Sequence, residues 1–195
     1  SAPVPLAARA EDLVKRRSAA GLVHDAFAAH GANLRATEAL NAPADLVEAA
    51  ALLARARHVH VAGFRSCRPL AAGFVYQYRL FRPEVSMVGG AGLGFELDLR
   101  GLGPRDAVLL IGFAPYSRES ALVAGVAART GASRIAIADS ELAPIALGAV
   151  RVLRFAQASP SFFPSVAAAS ALLETLLAVL LARGGETALR RLRAA

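Results

Sequence analysis

From residue 58 onward, short apolar runs alternate with longer stretches of helical spacing. The runs at 58–62, 84–88, 107–111, 134–138 and 149–154 have strand length and are mostly apolar, which argues for strands of a parallel sheet covered on both faces. Between them, apolar residues at three- and four-residue spacing predict helices near 67–81 and 117–130, a short one around 143–147, and a long one over 161–183. Pro83, Gly103-Pro104, Gly131 and Gly184-Gly185 punctuate the pattern, and Gly89, Gly90, Gly92 and Gly94 mark a loop. Strands alternating with helices predict an α/β three-layer sandwich around a parallel sheet.

The first 40 residues have helical spacing, with Leu13, Ala20, Val23 and Phe27 able to share a face. Gly21 and Gly31 argue against one long helix there. Asn41-Ala42-Pro43 is a break, and Leu46, Val47, Ala50 and Leu53 then define an amphipathic helix over 44–56. The expected organisation is a helical linker or dimerisation segment over 1–43 and one α/β domain over 44–195, within the usual size of a single domain. No fixed-period repeat occurs.

Composition narrows the picture little. The chain has 195 residues, 55% of them hydrophobic, and a formal net charge of +7. The basic residues are almost all arginine, Lys15 being the only lysine, and alanine is abundant. That pairing fits a GC-rich coding bias as well as a nucleic-acid surface. The arginines cluster only at Lys15-Arg16-Arg17 and Arg190-Arg191-Arg193, and no zinc-finger spacing, RNA-binding aromatic motif or helix-turn-helix pattern accompanies them. The lone Cys67 excludes an internal disulfide, which fits a reducing compartment. The N-terminus lacks the basic flank and apolar run of a signal peptide, and a cytoplasmic location is expected. The apolar stretch Ser165–Ala182 carries Glu174 at its centre. A charge there costs about 2.5–3.5 kcal/mol on membrane insertion, so a packing or dimer helix is expected rather than a span.

Two strand ends carry the candidate chemistry. Strand 58–62 runs into Gly63-Phe-Arg-Ser-Cys, and strand 107–111 into Gly112-Phe-Ala-Pro-Tyr-Ser-Arg-Glu-Ser. Parallel sheets bind ligands at the carboxyl ends of their strands, and N–H groups of the following helices favour an anion. Neither turn is a Walker loop or a three-glycine dinucleotide fingerprint. In the first, Ser66, Cys67 and backbone amides can cradle a phosphate, and Arg65 can pair with it in bidentate fashion. The alternative for Arg65 is a surface ion pair with Glu96 or Glu119. Cys67 reads as a packing residue rather than a nucleophile, with no histidine near it in sequence. In the second, Ser117 is an N-cap candidate, Ser120 faces the same amides, and Tyr116 and Arg118 suit the rim of a site for an anionic polyol. At the next strand end Asp139-Ser140 can bind hydroxyls or make a turn. Ser161, in Ser159-Pro160-Ser161, offers another cap with a possible ligand role. No His/Cys/Asp/Glu group has metal spacing, and no cofactor or catalytic residue is expected.

Together these segments resemble the SIS (sugar isomerase) domain, in the form found as the C-terminal half of RpiR/MurR-type bacterial transcriptional regulators. The resemblance runs from about Ala20 to Ala195. It rests on Asn33-Leu34 with Thr37, Gly63-Phe-Arg-Ser-Cys-Arg-Pro-Leu-Ala, Phe113-Ala-Pro-Tyr-Ser-Arg-Glu, Ala138-Asp-Ser with Pro144, and Ser159-Pro-Ser-Phe-Phe-Pro-Ser. It implies a five-stranded sheet of order 2-1-3-4-5 and a phosphosugar site built from hydroxyls in the two turns. The chain departs from that pattern. Cys67 stands where the first turn usually has serine, Gly112 where a serine usually ends the second strand, and Ser117 keeps its place. The N-terminal helical segment and the helix at 161–183 carry more apolar surface than one small sheet can cover, so a homo-oligomer, dimer or tetramer, is expected with those helices in its interface. The resemblance also implies contact with DNA only through an N-terminal helix-turn-helix domain that precedes such a domain; the chain then reads as an excised sensor. A sugar-phosphate isomerase and an oligomerisation module with a vestigial site are the alternatives. The isomerase needs a base over the pocket, and His58 and His60 lie within a strand.

Overall fold

Five parallel strands form one sheet in the order β2-β1-β3-β4-β5, as the resemblance implied. The computed structural model describes residues 4–15, 18–90 and 94–195. Arg16 and Arg17 of the first basic cluster and Gly92 of the glycine loop lie outside the described residues. The strands are β1 (Val59–Gly63), β2 (Val85–Met87), β3 (Ala107–Gly112), β4 (Ser133–Ala138) and β5 (Arg151–Arg154).

Side-chain alternation sends each central strand into two cores. Val59, Val61, Leu109, Ile111, Ile135 and Ile137 face one side, with α3 (Pro43–Arg55), α4 (Arg68–Arg79) and α7 (Ala167–Arg193) packed over them through Leu53, Phe74, Tyr78, Leu173 and Leu176. Ala62, Val108, Leu110, Ala136 and Ala138 face the other side, under α6 (Arg118–Thr130) with Val123 and Ala127, and under Leu99, Leu102 and Ile145.

Several local expectations are corrected. No helix forms at 143–147: the segment is a series of turns, although Ala143, Ile145 and Ala146 still bury their side chains. The last helix starts at Ala167, not near 161, because 155–164 runs on as extended chain and bends across the sheet end. It also passes Gly184-Gly185: Gly185 sits at φ 53°, kinks the helix, and the chain resumes helical geometry to Arg193. A short helix α5 (Phe95–Asp98) stands after the glycine loop. By length and composition α7 could cross a membrane. Here Leu172, Leu173, Leu176, Leu177 and Leu180 are buried in the core.

The N-terminal residues form α1 (Leu6–Lys15) and α2 (Ala19–Leu40). Gly21 and Gly31 do not interrupt α2. Ser18 caps it by accepting the Gly21 N–H at 3.0 Å, and tertiary bonds along one face outweigh the glycine penalty of about 1 kcal/mol each. Val23 and Phe27, assigned to a shared face, are exposed on α2. The face that matters instead carries Asn33, Thr37 and Asn41, all buried. Asn41 donates to the Arg154 carbonyl at 2.7 Å and accepts its N–H at 2.8 Å. Thr37 accepts the Ala156 N–H at 2.9 Å. Asn33 donates to the Ala158 carbonyl at 2.7 Å and accepts the Ala158 N–H at 3.0 Å. Four helical residues rise about 6 Å, and two extended residues about 6.6 Å. Polar side chains at every fourth position of α2 thus keep step with alternate residues of 154–158. They tie the last residue of β5 and the extended chain beyond it to the end of α2.

Candidate functional site

Both glycine turns open onto one cleft of about 570 Å³ at the carboxyl end of the sheet. Strands β1 and β3 are paired neighbours, with Gly63 beside Ile111, so the turns that leave them lie side by side.

The first turn is tight. A Cβ on Gly63 would sit 2.4 Å from the Cys67 carbonyl oxygen, a backbone atom that cannot give way. Gly63 therefore lets the chain fold back over the strand end, and it does not itself line the cleft. Arg65 then takes φ 53°, the one left-handed non-glycine residue among those described, a conformation that costs of order 1–3 kcal/mol. A single 3-10 turn (Arg65–Cys67) leads directly into α4, and no side chain caps that helix. The Cys67 N–H donates to the Phe64 carbonyl at 3.0 Å, the Arg68 N–H donates to the Arg65 carbonyl, and Pro69 has no N–H. Arg65 is exposed, while Cys67 is buried. Burial pushes the Cys67 thiol up to about 11, with Ser66 hydrogen-bonding in the opposite direction. The thiol thus stays protonated at neutral pH and is a poor nucleophile.

The second turn is satisfied internally. Ser117 is the N-cap of α6: its Oγ accepts the Ser120 N–H at 3.1 Å and lies 2.9 Å from the Ser120 hydroxyl. The Tyr116 hydroxyl donates to Asp139, which also accepts the Ala114 N–H at 3.3 Å and the Gln157 amide at 2.8 Å. Burial first, and then the bond to Asp139, hold the Tyr116 hydroxyl well above its ordinary pKa. Glu119 follows Arg118 at the rim. Its carboxyl is held below the usual range, first by its own backbone N–H and further by Ser117, Arg65 and Arg118.

Of the residues singled out in the sequence, Arg65, Ser66, Cys67, Gly112, Tyr116, Ser117 and Ser120 line the cleft together. Five others do not. Gly63 lies beneath the turn. Arg118 is exposed at the start of α6. Asp139 is behind the wall and holds Tyr116 and the 114–116 loop in place. Ser140 accepts the Leu142 N–H at 3.1 Å, which makes it a turn residue. Ser161 presents its carbonyl to Arg9 at 2.9 Å.

Sequence reasoning missed the outer half of the cleft. Phe64 and Phe113 follow the two strands immediately and form walls, and Phe163-Pro164 closes one side. These lie inside the quoted motifs and were legible there. Leu6 and Arg9 of α1 also line the cleft. Arg9 spans both sides of a bend in the far segment, donating to the Ser159 and Ser161 carbonyls at 2.9 Å each. Nothing in the periodicity of α1 signals that role. Among the described residues no group of three His, Cys, Asp or Glu side chains is placed to hold a metal.

The SIS domain family matches residues 52–182, most of the chain and all of the sheet. The chain belongs to the SIS domain family. Solved SIS structures extend the comparison. The sugar isomerase domain of an RpiR transcription factor from Sphaerobacter thermophilus is 26% identical, with 89% of this chain and 97% of that one covered and a TM-score of 0.82. The Vibrio vulnificus NanR protein, in complex with ManNAc-6P, is 14% identical over 94% of this chain and 69% of that one, with a TM-score of 0.74. A hypothetical protein of Methanococcus jannaschii, whose structure inferred a 3-hexulose-6-phosphate isomerase function, is 13% identical over 85% of this chain and 96% of that one, with a TM-score of 0.68. At these last two identities the likeness is one of fold. No curated protein sequence matches the chain.

Proposed function

We propose that this SIS domain is the effector-sensing part of a cytoplasmic transcriptional regulator, binding a phosphosugar or related acidic metabolite and passing its occupancy to a DNA-binding domain. The observation that carries the reading is the bonding of the cleft wall to the N-terminal helices. Phe163 and Pro164 line the cleft. The segment just before them is held by Arg9 of α1 at Ser159 and Ser161 and by Asn33 of α2 at Ala158. A ligand that shifts this wall shifts the partners of both helices, which is the differential contact a two-state sensor needs. Residues up to 43 serve in this reading as linker and dimerisation arm. Exposed Val23 and Phe27 on α2 are the apolar surface a homodimer covers.

An anion fits the polar end of the cleft. Arg65 lines it and can pair with a phosphate or carboxylate. The kinship with an RpiR transcription factor domain supports the regulatory role, and the ManNAc-6P bound to the NanR protein supports the ligand class. Among the described residues, no histidine, aspartate or glutamate lines the cleft. Enediol chemistry needs a base, so binding without turnover is favoured over isomerisation.

Calorimetry with a panel of hexose and pentose phosphates tests the reading. Wild-type protein is expected to bind at least one of them, without converting it, and the double variant Arg65→Gln/Ser117→Ala to lose binding while staying folded. Conversion of a bound sugar phosphate to its isomer would favour the isomerase. Wild-type affinity in the double variant would place the site elsewhere.

A further inference from the structure

We infer that this cleft prefers an amphipathic anion, a phosphate or carboxylate carrying an apolar acyl or aryl group, over a bare polyhydroxylated sugar phosphate. The inference rests on the anion-sensing reading above and names the kind of anion. Its basis is that most of the hydroxyls lining the cleft already hold partners inside the protein. Ser117 and Ser120 bond to each other, and Ser117 also caps α6. The Tyr116 hydroxyl donates to Asp139. Gly112 has no side chain to offer. A ligand rich in hydroxyls would exchange water for few partners here, and each buried hydroxyl left unpaired works against binding.

The remaining surface divides by chemistry. Arg65, on the turn into α4, lines the cleft and suits a compact anion. The apolar lining comes from Leu6, Phe113, Phe163 and Pro164. Phe163 packs edge-to-face on Phe113, with ring centroids 6.1 Å apart, leaving a rigid apolar wall facing the space beyond the anion. Arg9 flanks that wall, anchored to the Ser159 and Ser161 carbonyls. An anion with a flat or acylated tail satisfies both kinds of lining at once.

Two phosphates of equal charge and different character test this, phenyl phosphate and glycerol 3-phosphate, titrated into the whole chain and followed through backbone amide NMR shifts. Phenyl phosphate is expected to bind at least tenfold more tightly, shifting the amides of residues 65–67, 117–120 and 163. The Phe163→Ser variant is expected to bring the two affinities together, and Arg65→Gln to weaken both. Should Phe163→Ser unfold the domain, Leu6→Ser, at a more exposed position, makes the same test. Equal or tighter binding of glycerol 3-phosphate overturns the amphipathic ligand and leaves an anion site standing. A phenyl preference that survives both wall variants overturns the assigned wall. If neither compound shifts a cleft residue, the anion-sensing reading falls with it.

Discussion

The two strand-end turns look alike in sequence and behave differently in the fold. Each follows a buried strand through a glycine into a serine and then a helix. The second turn closes on itself: Ser117 caps α6, and Asp139 gathers Tyr116, Ala114 and Gln157. The first stays open: α4 has no side-chain cap, and Arg65 is held in a left-handed conformation. Stability has been built into one turn and strain into the other. Strain that persists in a turn lining the cleft is the pattern of a ligand-facing loop, so the first turn is the better place to look for recognition and the second for support.

Substitutions at matched positions sharpen that contrast. The largest effect is expected from Gly63→Ala, whose Cβ would meet the Cys67 backbone oxygen at 2.4 Å. A loss of about 3 kcal/mol by chemical denaturation is expected, as for a severe overpacking substitution. A near-neutral result would show that the first turn is looser than described. Next is the pH response of Cys67. Its folded thiol sits near 11 against an ordinary 9.0, so between these values the folded state holds a proton that the unfolded state releases. Stability is then complete below about pH 9 and falls as pH rises toward 11, by at most about 2–3 kcal/mol. Denaturation midpoints across this range should slope in the wild type and lose that component in Cys67→Ala.

Smaller effects separate support from recognition. Ser117→Ala removes the α6 cap and is expected to cost about 1 kcal/mol of stability, with binding weakened less than by Arg65→Gln. The reverse order would make the second turn the recognition element. Arg65→Gly relieves the left-handed conformation, offset in part by glycine's greater freedom in the unfolded chain. A gain of about 0.5–1 kcal/mol in stability is expected, together with a tenfold or greater loss of affinity for the anion. A variant both less stable and unchanged in binding would remove the strain argument. Gly112→Ala is the mildest. Its Cβ would meet only the Ile145 methyl tip at 3.1 Å, and a change within about 0.5 kcal/mol is expected.

Much of this was readable in the chain. Apolar runs of strand length between helical segments determined the parallel sheet and its two-sided burial, because a strand covered on both faces has few polar positions to spare. The strand order came from the family resemblance rather than from periodicity. The glycines and hydroxyls of the turns marked the sheet end that holds the cleft, because such turns sit where strands give way to helices. The turns at 143–147 were misread because Ala143, Ile145 and Ala146 bury side chains at helix-like spacing without a helical backbone.

Other features were decided only when distant segments met. That Ser117 is committed to a cap, that Asp139 stands behind Tyr116, and that Arg9 reaches Ser159 and Ser161 across 150 residues of chain depend on partners no local pattern names. The same holds for α2: Asn33, Thr37 and Asn41 read as polar positions on a helix, and only the adjacent extended segment 154–158 turns their four-residue spacing into a tie between α2 and the chain leaving β5. Periodicity reports which side of an element avoids water. Hydrogen bonds between elements depend on where the chain brings each donor and acceptor, and that is set by the packing of the whole domain.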